Sequence, residues 1–307
     1  MSDLNPIYPP TGPAIFEAIP ARSAELGPIT IRRALPTRKR RMVGPWCFLD
    51  RFRPLTFQGE KLMDVAPHPH IGLQTVSWLL DGEIVHNDSL GCQALIRPGE
   101  LNLMTAGRGI AHTEETPAEN SGIVNGVQLW VALPDANRHS DPQFHHHALL
   151  PYLDLPGGHA ALLMGEWSGS RSPALALSPM MGAQLSVHKR EELSAPLNPA
   201  FEHALLVLDG DVSFEGQPLA EDVFYYLGLG RTDLNLTSKN GARVLLIGGE
   251  PFQEKILMWW NFVARTPEEI EAARTDWQQR QGFRDVAAYQ GPRTEAPPLV
   301  LRPKAAE

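Results

Sequence analysis

Short apolar stretches separated by turn chemistry dominate the chain from residue 74 onward: 74–80, 84–87, 93–96, 101–105 and 126–133. Asp81-Gly82, Leu90-Gly91 and Pro98-Gly99 stand between them, and these pairs favour tight turns. No helical period intervenes. Strands this short, at this spacing, predict an antiparallel sandwich or barrel. The same texture resumes at 160–167, 184–188, 201–208, 212–215, 222–227, 233–237 and 243–248. One helix is predicted, with Thr266 as N-cap, Pro267 at its first position and Glu269 completing a capping box. It should run from 267 to about 281 and stop at Gly282. These signals divide the chain into a flexible N-terminal arm (1–28), a first β unit (29–135), a linker (136–150), a second β unit (151–265) and a helix with tail (266–307).

The two β units echo one another. Leu80-Asp81-Gly82-Glu83-Ile84 resembles Leu208-Asp209-Gly210-Asp211-Val212, and Pro98-Gly99-Glu100-Leu101 faintly resembles Pro218-Leu219-Ala220-Glu221. His68 and His70 lie 14 and 12 residues before Gly82, and the same offsets before Gly210 fall on Pro196 and Asn198. If the halves are duplicates, only the first keeps those histidines.

The candidate chemistry lies in that first half. His68 and His70 form one i, i+2 pair, and His112 and Glu114 form another. On extended backbone both members of each pair project from one face. Three imidazoles and a carboxylate suit Fe(II), Mn(II), Ni(II), Cu(II) or Zn(II), and ligand type alone does not choose among them. An octahedral metal so held keeps two open positions, whereas a closed four-ligand zinc site would be structural. Chance His-x-His pairs on surface strands are the bland alternative, and two such pairs in one β-rich half weigh against it. His145-His146-His147 lacks a carboxylate of matching spacing and is expected to be exposed or hydrogen-bonded, as are His86 and His188.

Composition narrows the function classes. The chain has 307 residues, enough for two domains, and its net charge of −8 argues against a broad grip on nucleic acid. Arg38-Lys39-Arg40-Arg41 is the local exception and reads as a solvated loop, with a small handle for an acidic partner. Cys47 and Cys92 are too few for a disulfide framework and fit a reducing compartment. Neither a secretory leader nor a membrane span is apparent, so a cytoplasmic location is expected.

Several segments together resemble the pirin family of the cupin superfamily. They are Arg33-Ala34-Leu35-Pro36, Arg41-Met42-Val43-Gly44-Pro45, Phe48-Leu49-Asp50, His68-Pro69-His70-Ile71-Gly72, the run from Thr105 through Gly107-Arg108-Gly109 to His112-Thr113-Glu114, and Gly249-Glu250-Pro251. The resemblance covers about residues 30 to 282. It implies an all-β bicupin, two antiparallel β-barrels of jelly-roll type with a short C-terminal helix, and a metal in the first barrel only. The family's ligands correspond to His68, His70, His112 and Glu114, with iron the usual metal. Some pirins resemble quercetinases, opening the ring of a flavonol with O2, which would make Glu114 the catalytic base. A nuclear pirin acts as an iron-dependent transcriptional cofactor, so a non-catalytic redox sensor with a protein partner is the alternative. One departure is Gln74: cupins commonly carry Glu four residues after the second His, and an amide cannot take a proton near neutral pH.

Overall fold

The computed structural model describes residues 15–26, 29–57 and 63–299. Residues 1–14 of the arm expected over 1–28, and the charged end after 299, lie outside the described residues. The rest is almost entirely antiparallel β structure, as the alternation of short apolar runs and turns predicts.

Each half pairs a large sheet with a small one. In the first, a seven-stranded sheet has Leu73–Gly82, Ile123–Ala132 and Trp46–Thr56 at its centre. The small sheet runs Asp64–His70, Ile110–Glu115, Ile84–Asp88, Gln93–Ile96 in spatial order. In the second, an eight-stranded sheet centred on Glu202–Gly210 and Ala242–Gly249 accompanies the sheet Glu192–Pro196, Asp233–Thr237, Val212–Phe214, Gln217–Leu219. Each half thus keeps sheet edges and is a barrel only loosely, because its hydrogen bonds do not form a single ring.

The internal echo is structural as well. Gly82 and Gly210 end equivalent strands at φ +86 and +80. A Cβ would lie 1.9 Å from the Ile123 carbonyl oxygen at the first and 2.2 Å from that of Gly241 at the second. Both turns therefore require glycine, for backbone angle and for space. Eight residues before each glycine stand Gln74 and Glu202, and each reaches into the other half. Gln74 Nε2 donates to the Leu175 carbonyl at 3.1 Å, and Glu202 Oε2 accepts from the Gly44 amide at 2.7 Å.

The halves share one apolar core, with Trp46, Leu49, Val76 and Leu129 packed against Leu163, Leu206, Phe224 and Leu245. Trp46 Nε1 crosses to the carbonyls of Met181 and Gly248 at 3.2 and 3.1 Å. Three segments depart from the expected division. Within the arm, Glu17–Pro20 pairs with Val223–Gly228 of the second half, while Arg22–Leu26 pairs with Ile29–Leu35 of the first. Within the linker, Gln143–His147 adds an edge strand beside Leu101–Thr105. After the second half the chain returns to the first, where Phe262 bridges to Ile71 and Thr294 N donates to the Pro67 carbonyl at 2.9 Å. The helix, Pro267–Gln278, begins at the predicted cap, with Thr266 accepting from Glu269 N, and buries Ile270, Ala273 and Trp277. It ends three residues early because Arg280 turns to φ +57.

Candidate metal centre

The site is built on two neighbouring strands of the small sheet. Asp64–His70 is its edge strand, where Pro67 and Pro69 cost the ladder no inward hydrogen bond. Its partner, Ile110–Glu115, sets His112 directly opposite His68, with a register shift between His112 and Glu114 that places Glu114 opposite Val65. The alternation anticipated from the i, i+2 spacing thus brings His68, His70 and His112 together. Their ligand atoms lie within 4.8 Å of one another, the one such histidine or acid cluster among the described residues. Glu114 lines the same cavity but stands outside that set.

Hydrogen bonds fix which ring nitrogens are free. His68 Nδ1 donates to the Ala66 carbonyl and His70 Nδ1 to the Asn261 carbonyl, both at 3.0 Å. A carbonyl only accepts, so each Nε2 keeps its lone pair. Behind His112 lies a relay: His112 Nδ1 is 3.2 Å from His86 Nδ1, and His86 Nε2 is 3.2 Å from Asp88 Oδ2. The other Asp88 oxygen accepts from the amides of Leu90 and Cys92 at 2.9 and 3.0 Å. A carboxylate so placed puts the His86 proton on Nε2 and makes His86 Nδ1 the acceptor. His112 then donates from Nδ1 and turns a bare Nε2 toward that of His70, 3.1 Å away.

Two lone pairs facing at that distance repel unless a cation lies between them. Three buried imidazole nitrogens gathered this closely fit a divalent metal. Burial keeps the imidazoles neutral, as ligation requires. It lowers His68 to about 4, and with neighbouring imidazoles it holds His70 and His112 well below the ordinary value. Burial, then the nearby Asp50 carboxylate, raise Glu114 to about 7. Asp50 itself is gripped by both Arg33 nitrogens at 2.7 Å, and that guanidinium lies 4.5 Å over the Phe48 ring.

The cavity over this centre holds about 870 Å³. Phe48 and Trp130, stacked at 3.9 Å, form part of its wall, and Met258 and Trp260 from the returning chain form another part. Gln74, by contrast, donates to Thr105 Oγ1 at 2.9 Å and to Leu175, so the departure from the cupin pattern bears on the interface between the halves. His145 bonds Gln143, His146 bonds Asn102, and His188 faces His159 at the surface. His86 is the residue sequence reasoning left aside. Its signal was the i, i+2 spacing to Asp88, a carboxylate able to orient an imidazole on the same face.

Known proteins share this architecture. Residues 29–131 match the pirin domain and residues 182–283 the pirin C-terminal cupin domain. A Pseudomonas aeruginosa protein provisionally named a quercetin 2,3-dioxygenase is 45% identical over 288 residues, covering 93% of this chain and 91% of its own. A pirin-like protein of Caulobacter vibrioides is 39% identical over 84% of this chain and 91% of its own. The crystal structure of an Acinetobacter baumannii protein named quercetin 2,3-dioxygenase superposes with a TM-score of 0.88 at 43% identity, over 95% of this chain and 97% of that one. With both domains matched in order around a buried three-histidine cluster, the chain belongs to the pirin family.

Proposed function

We propose that the protein is a metal-dependent dioxygenase that opens the central ring of a flavonol, or of a similar chelating aromatic, with O2. The observation that carries this reading is the pair of bare Nε2 atoms, on His70 and His112, facing each other at 3.1 Å beneath an aromatic-walled cavity. The similar Acinetobacter baumannii protein is named quercetin 2,3-dioxygenase, and the Pseudomonas aeruginosa relative bears that name provisionally. His68, His70, His112 and Glu114 would hold a divalent metal, Fe(II) first, with Ni, Cu, Mn and Zn as alternatives. Bound there, the metal would supply the Lewis acidity and electron transfer that the reaction with O2 requires.

The chain's own residues supply the rest. Phe48 and Trp130 give a flat substrate apolar surface and exclude water. Glu114, held near neutrality by burial, takes the proton of the substrate's 3-hydroxyl when its carboxylate is off the metal. O2 then adds across the central ring, which opens with loss of CO.

Metal analysis followed by aerobic quercetin turnover with each candidate metal tests this. Turnover is expected with at least one metal, and Glu114→Ala is expected to lose on the order of 100-fold of it. A Glu114→Ala protein with full turnover would remove the base role. No turnover with any loaded metal would instead favour a redox sensor that acts through a protein contact.

A further inference from the structure

The second half has a cavity of its own, of about 1070 Å³. Pro196 and Asn198, which stand at the offsets of His68 and His70, line it, so it is the counterpart of the metal cavity with the ligands replaced. Its apolar surface includes Trp167, Leu175 and Phe201. The Trp167 indole N–H is already spent on the Pro196 carbonyl at 2.7 Å. Among the described residues one histidine lines this cavity, His203, seven residues before Gly210 as Thr75 is seven before Gly82.

His203 is 1% exposed, and at most one of its two ring nitrogens is engaged by the protein, through the Phe201 backbone. Both cross-strand neighbours are glycine, Gly228 and Gly248. A Cβ at Gly248 would lie 2.7 Å from His203 Cδ2, so the ring occupies space that only glycine leaves. Burial, then the Arg231 cation, lower the imidazole to about 4 against the opposing pull of the Phe201 backbone bond, so at neutral pH it carries one N–H and one lone pair, of which at least one is left for a ligand. A buried polar atom left unpaired is costly, and the fold here makes room for it. A hydroxyl both donates and accepts, and so satisfies a neutral imidazole in either tautomer. A carboxylate can only accept.

We propose that this second cavity is a binding site for a planar phenolic compound, whose ring lies against Trp167, Leu175 and Phe201 and whose hydroxyl pairs with His203. The site is separate from the metal centre and does not rest on the catalytic reading above. Calorimetric titration of the full-length, metal-loaded protein with 2-naphthol, naphthalene and 2-naphthoate tests it. Tighter binding of 2-naphthol than of the other two is expected. His203→Phe should weaken 2-naphthol by about tenfold or more while leaving naphthalene unchanged. Ser178→Trp, which fills the cavity from its lining, should remove binding of both with metal content intact. Wild-type protein that binds 2-naphthol no tighter than naphthalene, or His203→Phe protein with unchanged 2-naphthol affinity, would overturn the proposal. If His203→Phe does not fold, full 2-naphthol binding by Ser178→Trp overturns it equally.

Discussion

At the scale of single residues, burial sets the chemistry through protonation. His68 titrates near 4 in the native chain, and His70 and His112 lie below the ordinary 6.5. Between those limits the unfolded chain binds more protons than the native one, so stability rises with pH. Glu114 has the opposite sign: it keeps its proton to about 7, whereas an unfolded carboxyl loses it near 4.5, so its contribution falls with pH across that window. Five depressed histidines, counting His147 and His203, outweigh two raised carboxyls, Glu114 and Asp50. The melting temperature of chelator-stripped protein should therefore climb from about pH 4.5 to 6.5 and then level off. A melting temperature that stayed flat or fell over that range would contradict the assignment.

At the scale of elements, Ile84–Asp88 acts as a backing strip for the ligand strand. It pairs His112 with Asp88 and Glu114 with His86, and so delivers an imidazole and a carboxylate behind one ligand. His86→Phe keeps a ring stacked on Phe144, where the native rings lie 4.2 Å apart, but leaves His112 without its acceptor. Metal affinity, read by competition with a chelator, should fall roughly 10–100-fold. An unchanged affinity would show the relay to be incidental. This strip also marks the limit of what could be read from the chain. The convergence of His68, His70 and His112 was legible because i, i+2 spacing fixes a face whatever the tertiary structure. The i, i+2 spacing of His86 to Asp88 is a local signal, but that this pair backs His112 depends on which strand lies beside which, a long-range fact. Gln74 was legible as a departure and misleading as to place, because the position it occupies looks across to Leu175. The strand Glu17–Pro20 was hidden for the same reason, since its Pro- and Gly-rich surroundings report flexibility and not the partner 200 residues on.

At the scale of the molecule, the two halves behave as one unit. They share an apolar core, and polar ties cross it in both directions. Trp46 reaches Met181 and Gly248, Trp78 reaches Gln184, and Arg51 reaches the Leu208 carbonyl at 2.9 Å. Calorimetry of the intact protein should show a single cooperative transition. Trp46→Phe should lower its stability by about 2 kcal/mol, because two buried carbonyls lose their donor. Two separated transitions would mean that the halves are independent domains.

The Asn261 carbonyl that holds His70 lies almost 200 residues downstream of it, on the segment that returns to the first half. A nascent chain that has exposed all four candidate ligands still lacks that orienting contact, and the wall carrying Met258 and Trp260 does not yet exist. The centre is thus finished only after most of the polypeptide has left the ribosome. The full set of contacts that orients His70 therefore exists only once residue 261 has been made.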